Sequence, residues 1–486
     1  HRLLVYLLSA GIHGAALWTL VQVSPDRVVA PIEHQVRLTP PEPRTIVESP
    51  RPVPPEPTRE GITDAPVLAE AAPMAEAQAP ALDEIDSYDA PTTGQASAPA
   101  FDAAQWNLAI GPGGGAGGPG SIYAGRTVAG APRAAGRPYV ESIEAGLQWL
   151  KAHQDGDGRW DCDQFMKHDD PKRPVSDGPG SAVHDIGVTG LALLAFLGDG
   201  STARSGVYKD QIKRGVKWLC EQQQPNGRFG SAETEDFLYD HAIATYAMCE
   251  AFGLSDSQLL RESAQGAVDY LAAHRNPGAA WRYRPRDGHN DTSVTGWCVM
   301  ALESGRALGL RVDPAIRPEV LAWLDQVADP SGRHGYTARG ELSSRKNAAH
   351  AARFPPERSE ALTAVGLLSR LFLGQDERSE PLLRAAVERL RKAPPAGDGR
   401  GEAVDHYYWY HASYALFQIG GPAWTEWQKK LETAVVKTQH RDRSNRNLYG
   451  SWDPDCAWGA DGGRVYSTAI LTLTLQAHYR YTRLAR

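Results

Sequence analysis

Six places in the chain set acidic, hydroxyl or imidazole side chains immediately ahead of an apolar run. They are His184-Asp185, Asp240-His241, His289-Asn290-Asp291-Thr292, Ser359-Glu360, Asp405-His406 with Tyr407 and His411 following, and Tyr466-Ser467. Imidazole beside carboxylate is the pairing used for proton transfer near neutral pH, and it is equally a source of metal ligands. The residue types do not choose between the two, so no metal ligand set is assigned. Asp, Ser and Thr at such positions also cap helix N-termini and suit the helix dipole. Histidine lacks that excuse, because an imidazolium is disfavoured there. The candidates for catalysis are therefore Asp291, as the leading acid or base, with His289, Asp185 and His184. The candidates for ligand contact are His241, Asp240, Trp297, Asp405, His406, Tyr407 and His411.

Each cluster opens a segment that is apolar nearly all round, the pattern of a helix buried on every side. These segments are Ile186–Leu197, Ala242–Phe252, Val294–Leu302, Ala361–Leu373, Ala412–Ile419 and Thr468–Ala477. Ahead of them run amphipathic helices, as where Ile143, Leu147 and Leu150 recur at helical spacing against Glu141, Glu144 and Lys151. A unit repeats: Gly146-Leu-Gln-Trp149-Leu150 leads to Gln154, Gly158 and Trp160, and Gly215-Val-Lys-Trp218-Leu219 leads to Gln223, Gly227 and Phe229. Looser copies cover Tyr270 to Trp281, Trp323 to Tyr336 and Leu431 to Trp452, and Leu383 to Leu390 fits a sixth without the aromatic signature. Repeats of helix pairs bury their apolar faces on one another. Six of them predict an all-α fold over residues 138–486, an (α/α)6 toroid whose inner helices open together on one mouth.

The rest of the chain is of another kind. Of 486 residues, 48 are Gly and 35 Pro, yet eleven of the thirteen tryptophans lie between Trp149 and Trp458. Fourteen prolines fall between Pro31 and Pro99, and such a density supports neither packed helix nor central strand. Residues 24–137 therefore read as a disordered linker, including the glycine run Gly111–Gly120, which no apolar strand precedes. Leu3 to Val23 carries no formal charge and as a helix would span about 31 Å, the thickness of a bilayer core. A retained transmembrane anchor over residues 1–23 is expected, with the toroid on the periplasmic or extracytoplasmic side. A net charge of −7 without a basic run excludes nucleic acid as a partner. The five cysteines have no Cys-x-x-Cys spacing, which excludes a zinc ribbon and a disulfide scaffold.

Two resemblances follow. The Gly-x-x-Trp-Leu…Gln…Gly-x-Trp unit resembles the prenyltransferase and squalene-oxidase repeat of the squalene cyclase-like α-toroid superfamily. This implies the toroid and a bracing role for Gln154, Trp160, Gln223 and Phe229. The superfamily's chemistry does not carry over residue by residue. The acidic motif of class II cyclases has its nearest counterpart in Gly288 to Thr292, with Asp291 alone acidic. Asp453 and Asp455 do not stand two residues before Cys456 as a prenyltransferase zinc site requires, and no Cys-Gly-Glu-Gln thioester segment exists. Asp155-Gly-Asp157-Gly resembles the start of a calcium loop whose remainder is missing. The N-terminal stretch with Ser9 and His13, four apart on one helix face, resembles the anchor of the TonB family. That resemblance implies contact between Ser9 and His13 and a membrane partner of the ExbB/ExbD type. Taken together, the expectation is a membrane-anchored toroid that binds an apolar, isoprenoid or polypeptide ligand. The alternative is an enzyme, cyclase-like or acting on a glycan, that works through its His/Asp rim.

Overall fold

The structure is a computed structural model that describes residues 139–481 apart from 233, 256 and 397–400. Among these residues are thirteen α-helices and no strand. Six form an inner layer: α2 (Asp185–Gly198), α4 (Phe237–Ser255), α6 (Thr292–Ala307), α9 (Ala361–Phe372), α11 (His406–Ile419) and α13 (Gly459–Arg480). Each packs on the next, and α13 returns to α2, so the ring closes. The outer layer is α1 (Val140–Ala152), α3 (Lys209–Glu221), α5 (Gln258–His274), α7 (Ile316–Val327), α10 (Pro381–Lys392) and α12 (Gly421–Ala434). The short α8 (Ala348–Arg353) sits in the connection between α7 and α9. This is the (α/α)6 toroid.

Side-chain character assigns the layers. In α1, Ile143, Leu147, Trp149 and Leu150 are buried while Glu141, Glu144 and Lys151 are exposed. In α2 every residue from Gly187 to Gly198 is buried, because neighbours press on all its sides.

The repeat motif is the stitching between neighbouring units. Gln154 Nε2 donates to the Gly158 carbonyl in its own turn (2.8 Å) and to the Gln211 carbonyl of α3 (2.9 Å). Gln223 does the same toward Gly227 and Ser263, and Gln439 toward Gly450 and Ser142. The glycines at these turns have φ of +109°, +87° and +96°, and a Cβ on any of them would strike the backbone of the next outer helix, at Arg214, Gly266 or Ala145. The indoles of Trp160, Trp281 and Trp452 donate to the carbonyls of Leu150, Leu271 and Val435, each of which also accepts a backbone N–H at its helix end. Where the motif is looser, other chemistry substitutes. Arg275 pairs with Glu319 at 2.6 Å, and His334 stands at the tryptophan position and accepts from Arg370.

The ring is filled below its mouth. Trp297 stacks on Tyr410 (5.5 Å between ring centroids), Tyr410 packs on Tyr414 and Tyr414 on Tyr481. At the base, Arg480 and Glu250 form a fully buried ion pair of 2.6 Å, to which Tyr481 adds a hydroxyl donor at 2.9 Å. All five cysteines are free thiols. No helix among the described residues is long and apolar enough to cross a membrane. The expected anchor, with Ser9 and His13, and the proline-rich linker lie outside the described residues.

Candidate functional site

The N-termini of the inner helices converge on a cavity of about 370 Å³, inside the range of roughly 300–1,000 Å³ typical of ligand pockets. Its lower wall is built from Gly187, Val188 and Leu191 of α2, Ile243 of α4, Trp297 of α6 and Leu362 of α9. Its upper wall is aromatic and polar, with Tyr239, Tyr283, Tyr336, Tyr407, Trp458 and Tyr466 between charged residues. The long connection ahead of α9 supplies part of the roof through Ser343 to Lys346.

One side is acidic and carries the imidazole. His184, the residue before α2, sets Nδ1 3.1 Å from Asp240 Oδ2 in the first turn of α4, and its Nε2 lies 4.0 Å from Asp236 Oδ2. The imidazole is thus held between two carboxylates. Burial by itself would lower the His184 pKa, but the Asp240 hydrogen bond and the charges of Asp240, Asp236 and Asp461 overcome it and leave the pKa raised. Burial raises the Asp240 carboxyl, against the lowering pull of His184. Gly187 permits this approach: a Cβ there would collide with Asp240 Oδ1. Asp461 lies at the same rim in an ion pair with Lys346.

The other side is phenolic and cationic. The hydroxyls of Tyr283 and Tyr336 are 2.6 Å apart, and Tyr336 donates to Asp291 Oδ2 at 3.5 Å. Arg282 lies over both rings, with Nε 3.9 Å from Asp291. Ser293 and Tyr407 share a hydroxyl hydrogen bond of 3.0 Å. Behind this wall Asp291 is fully buried as the cap of α6, accepting from the Val294 N–H at 2.8 Å. Burial pushes its pKa up to about 7.

Four of the sequence candidates line the cavity: His184, Asp240, Trp297 and Tyr407. The others do not, and the expectation of one continuous His/Asp rim is corrected accordingly. His289 is exposed on the loop before α6 and does not line the cavity. Asp185 faces outward, accepting from the Cys162 N–H and pairing with Arg159. His241 occupies the position that Thr189, Thr295 and Thr468 hold in other units, accepting the backbone N–H of the repeat's aromatic residue, here Phe229. Asp405 caps α11 by accepting from Tyr408 N–H and takes the Ser359 hydroxyl. His406 is buried against Trp409, and burial pushes its pKa down to about 3. His411 supports the floor, packed on Trp297, Tyr407 and Tyr410 and donating from Nδ1 to the Tyr407 carbonyl. Asp291, the leading acid in the sequence reading, stands behind Tyr336 rather than in the cavity.

Residues that the sequence reading missed complete the wall: Asp236, Tyr239, Arg282, Tyr283, Tyr336, Arg345, Lys346 and Trp458. Asp236 had a signal, since it precedes Asp240 by four residues, the spacing that shares a helix face. The loop residues had none. Elsewhere, Asp161, Asp163 and Asp185 present carboxylates to one another, but Lys167 bonds Asp161 and Asp155 at 2.7 and 2.6 Å and Arg159 reaches Asp185. Burial opposes it, yet Lys167 holds the Asp161 pKa down to about 2. Asp155 to Arg159 is a tight turn closed by its own backbone.

No protein-family model and no curated protein matches this sequence. Solved structures with some likeness include an α-1,6-mannanase from Salegentibacter sp. HEL1_6 (12% identity, TM-score 0.45, covering 70% of this chain and 98% of that one). Another is a type II terpene cyclase from Scytonema (14%, 0.43, 70% and 97%). A third is an unsaturated glucuronyl hydrolase from Bacillus sp. GL1 (15%, 0.46, 70% and 96%).

Proposed function

We propose that the toroid binds a saccharide at the mouth of its inner ring and cleaves it by acid–base chemistry. The observation that carries this reading is His184, held between Asp240 and Asp236 on the wall of an aromatic cavity. An imidazole with a raised pKa keeps its proton to higher pH than a free one and is suited to protonating a leaving oxygen as its C–O bond breaks. Asp236, only 4.0 Å from His184 Nε2, holds the imidazole rather than activating the water, which adds to the sugar carbon as the C–O bond breaks and gives its proton to solvent. Aromatic faces suit the C–H faces of sugar rings. Tyrosine and serine hydroxyls with carboxylates suit sugar hydroxyls. A hydrocarbon ligand would leave the buried Tyr466 hydroxyl, which has no hydrogen-bond partner among the described residues, unsatisfied at a cost of about 1–3 kcal/mol, which speaks against the isoprenoid expectation.

The test is turnover by the full-length chain of end-labelled oligosaccharides, neutral and acidic, read by chromatography. Cleavage that falls by roughly two orders of magnitude or more in His184→Gln, with sugar binding retained, supports the assignment. Binding without cleavage of any member would reduce the site to a binding module, and absence of binding would remove the saccharide reading.

The N-terminal residues carry a separate proposal, resting on sequence alone. We propose that Leu3 to Val23 anchors the chain, with the toroid outside the cytoplasm, and that Ser9 and His13 meet a proton-conducting ExbB/ExbD-type partner. Co-purification that persists unchanged in His13→Ala would sink it.

A further inference from the structure

The charges lining the cavity are matched on one side only. Asp240 and Asp236 flank His184, and Asp461 pairs with Lys346. Arg282 and Arg345 are left without a carboxylate at hydrogen-bond distance among the described residues. Arg282 comes no nearer than 3.9 Å to Asp291, and its guanidinium lies over the rings of Tyr283 and Tyr336 at 5.3 and 5.5 Å. Arg345 is fixed by neutral acceptors: Nε donates to the Phe354 carbonyl at 2.8 Å, and Nη1 donates to Ser343 Oγ at 3.0 Å and the Ser344 carbonyl at 2.9 Å. It also lies 5.7 Å over the ring of Trp458. Carbonyls and a hydroxyl thus orient this guanidinium, while Asp405 and Glu357 act on it only through their charges, from beyond hydrogen-bond distance. Both arginines line the same cavity as His184.

From this asymmetry we infer that the substrate is an anionic saccharide, whose carboxylate or sulfate is received by Arg345 and Arg282 while its scissile bond lies toward His184. The inference rests on the saccharide reading above and adds the charge of the ligand to it. A planar guanidinium held in place is matched to the two oxygens of a carboxylate or sulfate. Here it sits beside aromatic rings and partly out of water, where screening is weak. A neutral sugar would leave both guanidinium groups without a carboxylate at hydrogen-bond distance.

The test uses the full-length chain and tryptophan fluorescence or calorimetry, reading affinity for two matched pairs. One pair is trigalacturonate and its fully methyl-esterified form. The other is a lactose sulfate and lactose. At least one charged member should bind about tenfold or more tightly than its neutral partner, as expected for a charge-assisted hydrogen bond, and the pair that shows it distinguishes carboxylate from sulfate. In Arg345→Gln the preference should shrink to within about threefold. Arg282→Gln provides the same reading if the first variant does not fold. Equal affinity for charged and neutral members in the wild type would overturn the inference and leave the saccharide reading standing. A preference that survives in both arginine variants would overturn it too. Failure of all four sugars to bind would overturn both.

Discussion

Gln439 in the last repeat donates from Nε2 to the carbonyl of Ser142 in the first helix, 2.9 Å away and 297 positions earlier in the chain. The same side chain bonds the Gly450 carbonyl of its own turn. A motif that elsewhere joins sequence neighbours here joins the two ends and closes the ring.

Gln439→Ala leaves the Gly450 carbonyl without a donor and the Ser142 carbonyl with only the bond of its own helix, so a loss of about 1–3 kcal/mol is expected. Gln224→Ala, at an exposed position in an equivalent turn, should change stability by no more than about 0.5 kcal/mol. Urea unfolding of the two variants beside the wild type checks this, and equal midpoints would mean that closure does not depend on the glutamine.

The base of the barrel depends on Arg480 and Glu250, both fully buried. Arg480→Met leaves Glu250 without its guanidinium inside the protein, and a cost of about 3–5 kcal/mol is expected. Thermal melting would show a large drop in Tm, whereas replacing both residues with apolar ones should recover much of it.

Gly187→Ala should disturb the site more than the fold, because the new Cβ meets the Asp240 carboxylate. With Asp240 pushed from His184, the imidazole keeps its burial and loses its main compensating partner, so its pKa should fall. NMR titration of the His184 ring in wild type and variant measures the difference directly; an unchanged titration would show that Asp240 does not govern the proton.

Asp291 titrates at about 7 when folded, against an ordinary carboxylate value of 3.8. The folded protein therefore holds a proton that the unfolded chain has already released. Stability from this group is complete below about pH 4 and is lost as pH rises through about 7. Asp291→Asn keeps an acceptor for the Val294 N–H but does not titrate. Urea midpoints between about pH 4 and 7 should fall more steeply in the wild type than in the variant, and parallel curves would refute the assigned shift.

Linkage at His184 has the same direction. Its folded pKa lies above the unfolded value of 6.5. The stability it adds is present below 6.5 and is lost as pH rises through the folded value. If His184 is the acid, the alkaline limb of any cleavage profile should follow that same proton.

The layers and the turns were legible in the sequence because both are local. Whether a helix is apolar on one face or all round follows from some fifteen consecutive residues. Gln154, Gly158 and Trp160 form a turn whose indole bond spans ten positions. Repetition then set the number of units, although His334 and Arg275 show that the motif's work continues where its residues do not.

Which residues would face the cavity was not legible. At three inner-helix starts two adjacent candidates stood side by side, and the structure separates each pair. His184 lines the cavity and Asp185 does not; the same division holds for Asp240 against His241 and for Tyr407 against His406. Neighbours on a helix point about 100° apart, so only one of two can face the axis, and the choice depends on how each helix is rotated in the closed ring. The sequence by itself determined that six helix starts would bring polar groups to one mouth. Tertiary packing decided that His184 meets Asp240 and Asp236, that Asp291 withdraws behind Tyr336, and that a loop from a distant unit brings Arg345, because these depend on rotations and crossings between elements that no local pattern encodes.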